Sequence, residues 1–195
     1  MSHRTDRSRE AILRATMALL DDDVTTLRDL TIERVARDAQ VSKTTVYRSW
    51  PNKTALVIDT LLSHDIWRLP LREDVPAIDA LRDHLAALAS LYSGRGGRLV
   101  AQLIAECQYE PEARDELKRR FWNERSDAIA RLLERAIRER SLRPHLDVAT
   151  FAEQLYAPIY FRLLLQTGSL DREFTDGLLN GALDGGRRAG SEPTA

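Results

Sequence analysis

Between Thr31 and Ser49, two short helical apolar periods stand only about three residues apart, and that spacing limits the folds open to the chain. Ile32, Val35, Ala36 and Ala39 repeat at the i, i+3, i+4, i+7 spacing of a helix with one buried stripe. Thr31 stands where an N-cap is needed, and Leu30 and Val35 are spaced as a hydrophobic staple. The pattern recurs one step on: Ser42 is placed to cap Lys43–Ser49, with Val41 and Val46 as the staple. Helices this short and this closely joined have no room to pack antiparallel. They must cross steeply, in a helix-turn-helix arrangement.

The rest of the chain keeps the helical period and offers no alternating strand pattern. Ile12, Ala15, Thr16, Leu19 and Leu20 predict a first helix. Pro51 ends the Lys43–Ser49 helix, and Asn52 is placed to cap a fourth, from Lys53 to about Trp67. Pro70 and Pro76 bracket a linker. Further helices are expected over 77–92, stopping at the Ser93–Gly97 loop (SGRGG), over 99–108, and over a long span of 112–140 striped by Phe121, Ala128, Ile129, Leu132, Leu133, Ala136 and Ile137. Asp147 is placed to cap a helix through Phe151, Leu155, Ile159 and Leu163 that ends near Gly168, and a last one covers 171–183. The expectation is an all-α chain of about nine helices. It divides into a head over 1–53, a connecting helix over 54–69, a helical body over 70–185 and a disordered tail over 186–195.

Composition narrows the class. Hydrophobic residues make up 43% and charged residues 30%, a globular balance, and no apolar run reaches bilayer length. The basic N-terminus lacks the hydrophobic stretch of a secretory signal. Cys107 is the only cysteine, which excludes an internal disulfide and a cysteine zinc cage. A cytoplasmic protein without membrane attachment is expected. No Ser/His/Asp set, phosphate-cradling glycine loop or metal-spaced cluster is visible, so neither catalysis nor a cofactor is expected. His64–Asp65 and Asp83–His84 are adjacent pairs that diverge by about 100° on a helix and read as solvated surface.

The net charge of −1 hides an asymmetry: residues 1–53 carry ten Lys/Arg against eight Asp/Glu, and the remainder carries nineteen against twenty-two. Locally, the helix over 43–48 offers Lys43, Thr44, Thr45, Tyr47 and Arg48, with no acid among them. Cations, hydroxyls and methyls suit the major groove, where Arg or Lys reaches guanine and a threonine methyl touches thymine. The same face would also suit an acidic protein partner.

Thr31, Val35–Ala36, Ala39, Val41–Ser42, Thr45, Tyr47, Trp50, Lys53 and Leu56 follow, in order and spacing, a known signature. The segment resembles the tetracycline-repressor (TetR) family of transcriptional regulators. Tyr160–Leu183 resembles the end of one effector-domain subfamily of that group. The resemblance implies that Lys43, Thr44, Thr45 and Arg48 face base edges, that Thr31, Ser42, Tyr47 and Lys53 hold phosphates, and that Arg4 and Arg7 reach the DNA backbone from a flexible arm. Trp50 would be core, anchoring the recognition helix. The chain departs from the family at Gln40, usually Gly, and at Asp22–Val24, where a Gly-aromatic pair is usual.

For the body, the resemblance implies a small-molecule effector pocket and a homodimer joined by the last two helices. Candidate pocket residues are Tyr92, Leu103, Cys107, Phe121, Trp122, Tyr156 and Tyr160, although residues of these types at such spacings more often belong to a core. Pro158 should free the carbonyl of Gln154 and kink its helix. Gly177, Gly181 and Gly185 recur every four residues, as at a close helix contact or a fraying end. Phe161, Leu164, Gly177, Leu178 and Gly181 are the candidate dimer interface. The function expected is a homodimeric regulator, a repressor released from a palindromic duplex operator by a small molecule. The alternative is an all-helical interaction protein whose basic head docks an acidic protein.

Overall fold

The computed structural model describes residues 2–21, 26–64, 69 and 71–186, without the side chains of residues 2–5 and 186. Asp22–Val24, Asp65, Trp67, Pro70, the Arg4 side chain and residues 187–195 of the expected tail lie outside the described residues. The helices are α1 (Ser2–Leu20), α2 (Ile32–Asp38), α3 (Lys43–Ser49), α4 (Lys53–Ser63), α5 (Ala77–Ser93), α6 (Arg95–Tyr109), α7 (Pro111–Leu117), α8 (Asn123–Arg138), α9 (Val148–Leu165) and α10 (Arg172–Gly186). A π-helical turn, Lys118–Trp122, joins α7 to α8 without a break. That makes nine continuous helical runs among the described residues, which contain no strand.

The chain forms two compact units, Met1–Arg68 with Arg98–Asn123, and Leu69–Gly97 with Glu124–Ala195. In the first, α1 buries Ile12, Leu19 and Leu20 and packs on α2 and α4. Both caps expected from sequence are made: Thr31 accepts from the Arg34 amide at 3.2 Å, and Ser42 accepts from the Thr45 amide at 3.2 Å. Leu30, Val35 and Val46 are buried. Between the two helices the Val41 amide donates to the Ala36 carbonyl at 2.9 Å, and Gln40 takes the left-handed conformation with φ 56°. This is the position where glycine carries no Cβ penalty. α4 stops at Ser63, short of Trp67. Thr60 and Ser63 turn their hydroxyls onto the backbone carbonyls of Leu56 and Thr60, and His64 is extended.

α1 overturns one expectation. Helix begins at Ser2, so Arg7 sits exposed on a regular helix and not on a flexible arm. No glycine or proline interrupts residues 2–20, and Glu10 pairs with Arg14 across one turn.

The second unit packs α5 against α9 and α10. Arg82 of α5 donates to Asp176 at 2.8 Å and to Asn180 at 2.9 Å on α10. The expected SGRGG loop shrinks to Gly94, because α6 already starts at Arg95. A Cβ on Gly97 would stand 1.9 Å from the Tyr92 carbonyl oxygen and 2.9 Å from Leu163 Cδ1. Its glycine permits a close approach of α6 to the end of α5 and marks no loop. Asp147 caps α9 by accepting from the Thr150 amide at 3.1 Å, and the helix runs through Pro158 to end at Gln166, left-handed at φ 52°. That end lies before Gly168, where the sequence pointed.

Candidate nucleic-acid interface and buried polar clusters

On α3, Lys43, Thr44, Tyr47 and Arg48 lie at i, i+1, i+4 and i+5 and form one exposed face, with Tyr47 51% exposed. Val46 is the one fully buried residue of the helix and turns the opposite side to the core. Two contacts were not legible in α3 itself. Lys43 Nζ donates to Glu33 Oε1 of α2 at 2.7 Å, which lowers the carboxyl pKa and raises that of the ammonium. Thr45 is half-buried, with its hydroxyl 2.9 Å from that of Ser42. Two hydroxyls sharing one hydrogen bond leave one O–H proton for an outside acceptor. Thr31 likewise uses only its lone pair in capping.

Lys53 opens α4 and donates from Nζ to the Leu27 carbonyl at 2.8 Å, keeping two further N–H donors. The Leu27 amide donates to Gln102 Oε1 of α6 at 2.7 Å, and Arg28 pairs with Glu106 at 3.1 Å. The loop before α2 is thereby pinned from α4 and α6.

Trp50 is core as expected, 1% exposed, and its position is set by a residue that sequence reasoning passed over. Trp50 Nε1 donates to Asp59 Oδ2 at 2.7 Å. Asp59 is 6% exposed, and its carboxylate also takes Arg9 of α1 on Oδ2 and Arg120 of the π turn on Oδ1. Arg9 stacks over the Trp50 ring, 4.8 Å from its centroid. Both carboxylate oxygens are thus met by charge-assisted donors. The signal was available: Asp59 is the one acid in the apolar run Ala55–Leu62.

The candidate pocket residues separate. Leu103, Cys107 and Phe121 are buried in the first unit, and Trp122 is 42% exposed. Cys107 Sγ donates to the Ala113 carbonyl at 3.6 Å, and burial, then Glu110 and Glu106, push its thiol up to about 11. It is an unreactive packed thiol. Tyr92, Tyr156 and Tyr160 come together in the second unit. The hydroxyls of Tyr92 and Tyr160 are 2.9 Å apart, and their rings meet edge to face at 5.6 Å.

His84 joins them, against the expectation of solvated surface. It lies on the stripe of Ala77, Leu81, Leu85 and Leu88, is buried, and its ring stands 6.1 Å from that of Tyr156. Burial first, and the charge of Arg125 second, lower its pKa to about 4. His84 Nδ1 and Tyr156 Oη are buried without a hydrogen-bond partner. Each such atom costs about 1–3 kcal/mol.

On α9, Phe161, Leu164 and Leu165 are 55%, 45% and 60% exposed. Leu178 of α10 is half-buried. A Cβ at Gly177, Gly181 or Gly185 would meet nothing within 4 Å, so within one chain these glycines approach no other backbone.

A helix-turn-helix with an outward cationic face, carried in one chain with a second all-helical unit, is the architecture of a DNA-binding regulator. Residues 12–60 match the family model of bacterial regulatory proteins of the tetR family, and residues 77–182 that of the tetracyclin repressor-like C-terminal domain. The chain belongs to the TetR family of transcriptional regulators, whose members are not enzymes. It is 30% identical over 156 residues to the uncharacterized HTH-type transcriptional regulator YdeS of Bacillus subtilis, covering 80% of this chain and 79% of that one. The TetR family regulator SCO0332 has a similar solved structure, with 29% identity, a TM-score of 0.79, and 91% and 97% of the two chains covered. The fold is also that of the regulator FadR from Bacillus subtilis, solved with stearoyl-CoA, at 16% identity, a TM-score of 0.70, and 90% and 98% of the two chains covered. No helix among the described residues is long and apolar enough to cross a membrane.

Proposed function

We propose that the protein is a cytoplasmic homodimeric repressor whose two α3 helices enter successive major grooves of a palindromic operator, about 34–36 Å apart. The observation that carries this reading is the single exposed face of Lys43, Thr44, Tyr47 and Arg48 on a helix seated by Val46 and Trp50. Arg48 and Thr44 read base edges, together with Lys43 once it exchanges Glu33 for DNA. Thr45 serves from the cap side. Tyr47, Lys53 and the spare hydroxyl protons of Thr31 and Ser42 hold phosphates, with Arg7 of α1 at the DNA backbone. A second copy covers the exposed Phe161, Leu164 and Leu165 together with Leu178 and the open edge of Gly177 and Gly181. A small molecule held in the body releases the operator, which requires different affinities for the bound and released states.

Selection of bound sequences from a random duplex pool tests the reading and yields the half-site spacing. Failure to enrich any sequence would leave the basic face to an acidic protein instead. On the selected operator, Lys53→Ala weakens all sequences alike and flattens the log–log salt slope by roughly 0.9. Arg48→Ala instead relaxes preference at particular base pairs by about 1–3 kcal/mol. An unchanged slope removes Lys53 from the phosphate contacts.

A further inference from the structure

His84 and Tyr92 lie two turns apart on α5, and Tyr156 and Tyr160 one turn apart on α9. The charge of Arg125 on α8 reaches His84, Tyr92 and Tyr160. Within this set the Tyr92 and Tyr160 hydroxyls share one hydrogen bond, whereas Tyr156 Oη and His84 Nδ1 are sealed from solvent and have no hydrogen-bond partner. Native interiors rarely leave two such atoms in one cluster unless something else completes them.

The chemistry of the two atoms restricts what that is. A hydrogen bond with the Leu69 backbone raises the His84 pKa, so the imidazole donates there and its proton sits on Nε2. Nδ1 is then a bare lone pair, and burial together with Arg125 keeps the ring neutral. Only a donor can complete it. A carboxylate, a ketone or a hydrocarbon leaves it empty, and an ammonium would add a second cation beside Arg125. Tyr156 needs an acceptor for its O–H. The walls are aromatic: the His84, Tyr92, Tyr156 and Tyr160 rings supply faces and edges.

We propose that this cluster is the effector site and that it takes a neutral phenolic ligand, which donates to His84 Nδ1 and accepts from Tyr156 Oη. The inference rests on the ligand-regulated reading above and adds the place and the chemical class. An aromatic hydroxyl is both donor and acceptor, stays uncharged near neutral pH, and presents a flat ring to the tyrosines.

The test uses the full-length protein and three probes of one ring system: 2-naphthol, naphthalene and 2-naphthoate, titrated by fluorescence. The expected result is tightest binding of 2-naphthol, with naphthalene and 2-naphthoate at least about fivefold weaker. Tyr156→Phe and His84→Phe each weaken 2-naphthol by roughly two- to tenfold and leave naphthalene unchanged. Tyr156→Phe removes only an atom without a partner and should fold at least as well as the parent, whereas His84→Phe also gives up the Leu69 hydrogen bond, and a melting curve of each verifies that it stays folded. Equal binding of naphthalene, an indifferent response to both substitutions, or no binding of 2-naphthol overturns the proposal and leaves the two atoms to buried water. A parallel operator titration separates the two levels. Hydroxyl-dependent binding that leaves DNA affinity untouched refutes ligand regulation but not the site. Release of DNA by other ligands, without 2-naphthol binding, refutes the site but not the regulation.

Discussion

Around Asp59, three donors from α1, the end of α3 and the π turn converge on one carboxylate, and both of its oxygens are occupied. Around Tyr156, His84 of α5 is buried and Tyr156 of α9 half-buried, yet one sealed polar atom of each has no hydrogen-bond partner. The first cluster is complete within the chain and can hold the recognition helix in one position. The second is incomplete, and an incomplete buried network is stabilised by whatever finishes it. The proposed function calls for both: a rigid seat for the helix that would read DNA, and a site whose energy depends on an outside molecule.

The contrast can be broken by substitution. At the complete cluster, Trp50→Ala should lower stability by about 3–5 kcal/mol in denaturant melts and abolish operator binding. Trp50→Phe keeps most of the ring but removes the N–H from Asp59, and should lose less, about 1–3 kcal/mol. Equal stability of the parent and Trp50→Ala would mean that the cluster does not seat α3.

At the incomplete cluster, His84 couples stability to pH. Its folded pKa of about 4 lies below the ordinary 6.5, so the unfolded chain binds the proton first as pH falls. The stability the neutral ring contributes is therefore whole above about 6.5 and is lost between 6.5 and 4, by about 3 kcal/mol in all. His84→Phe should flatten that part of the stability–pH curve relative to the parent. Parallel curves would place His84 in solvent. The smallest effect sharpens the seat itself: Gln40→Gly relieves the left-handed strain and should raise stability by up to about 1 kcal/mol, read as a higher melting temperature.

Much of this was legible in the sequence. The caps at Thr31, Ser42, Asn52 and Asp147 are local, since each hydroxyl, amide or carboxylate bonds an amide three residues on. At Gln40 the sequence showed only a departure from the family's usual glycine, and the left-handed backbone there is the structure's finding. The ends of helices were less legible. Arg7 was placed on an arm by the family resemblance, whereas helix extends through it to Ser2, and Gly97 looked like a loop because its close approach to the Tyr92 carbonyl and Leu163 shows only in three dimensions.

What the one-dimensional chain determined, then, is everything governed by contacts within about four residues: helix periods, caps, the sharp turn and the outward face of α3. What only tertiary structure decided is the partnering of groups far apart along the chain. Asp59 meets Arg9 fifty residues before it, Glu33 holds Lys43 from another helix, and His84 is buried by α9 rather than hydrated. Burial and charge pairing act through space, so their sign at a given residue is set by which helices the fold brings beside it.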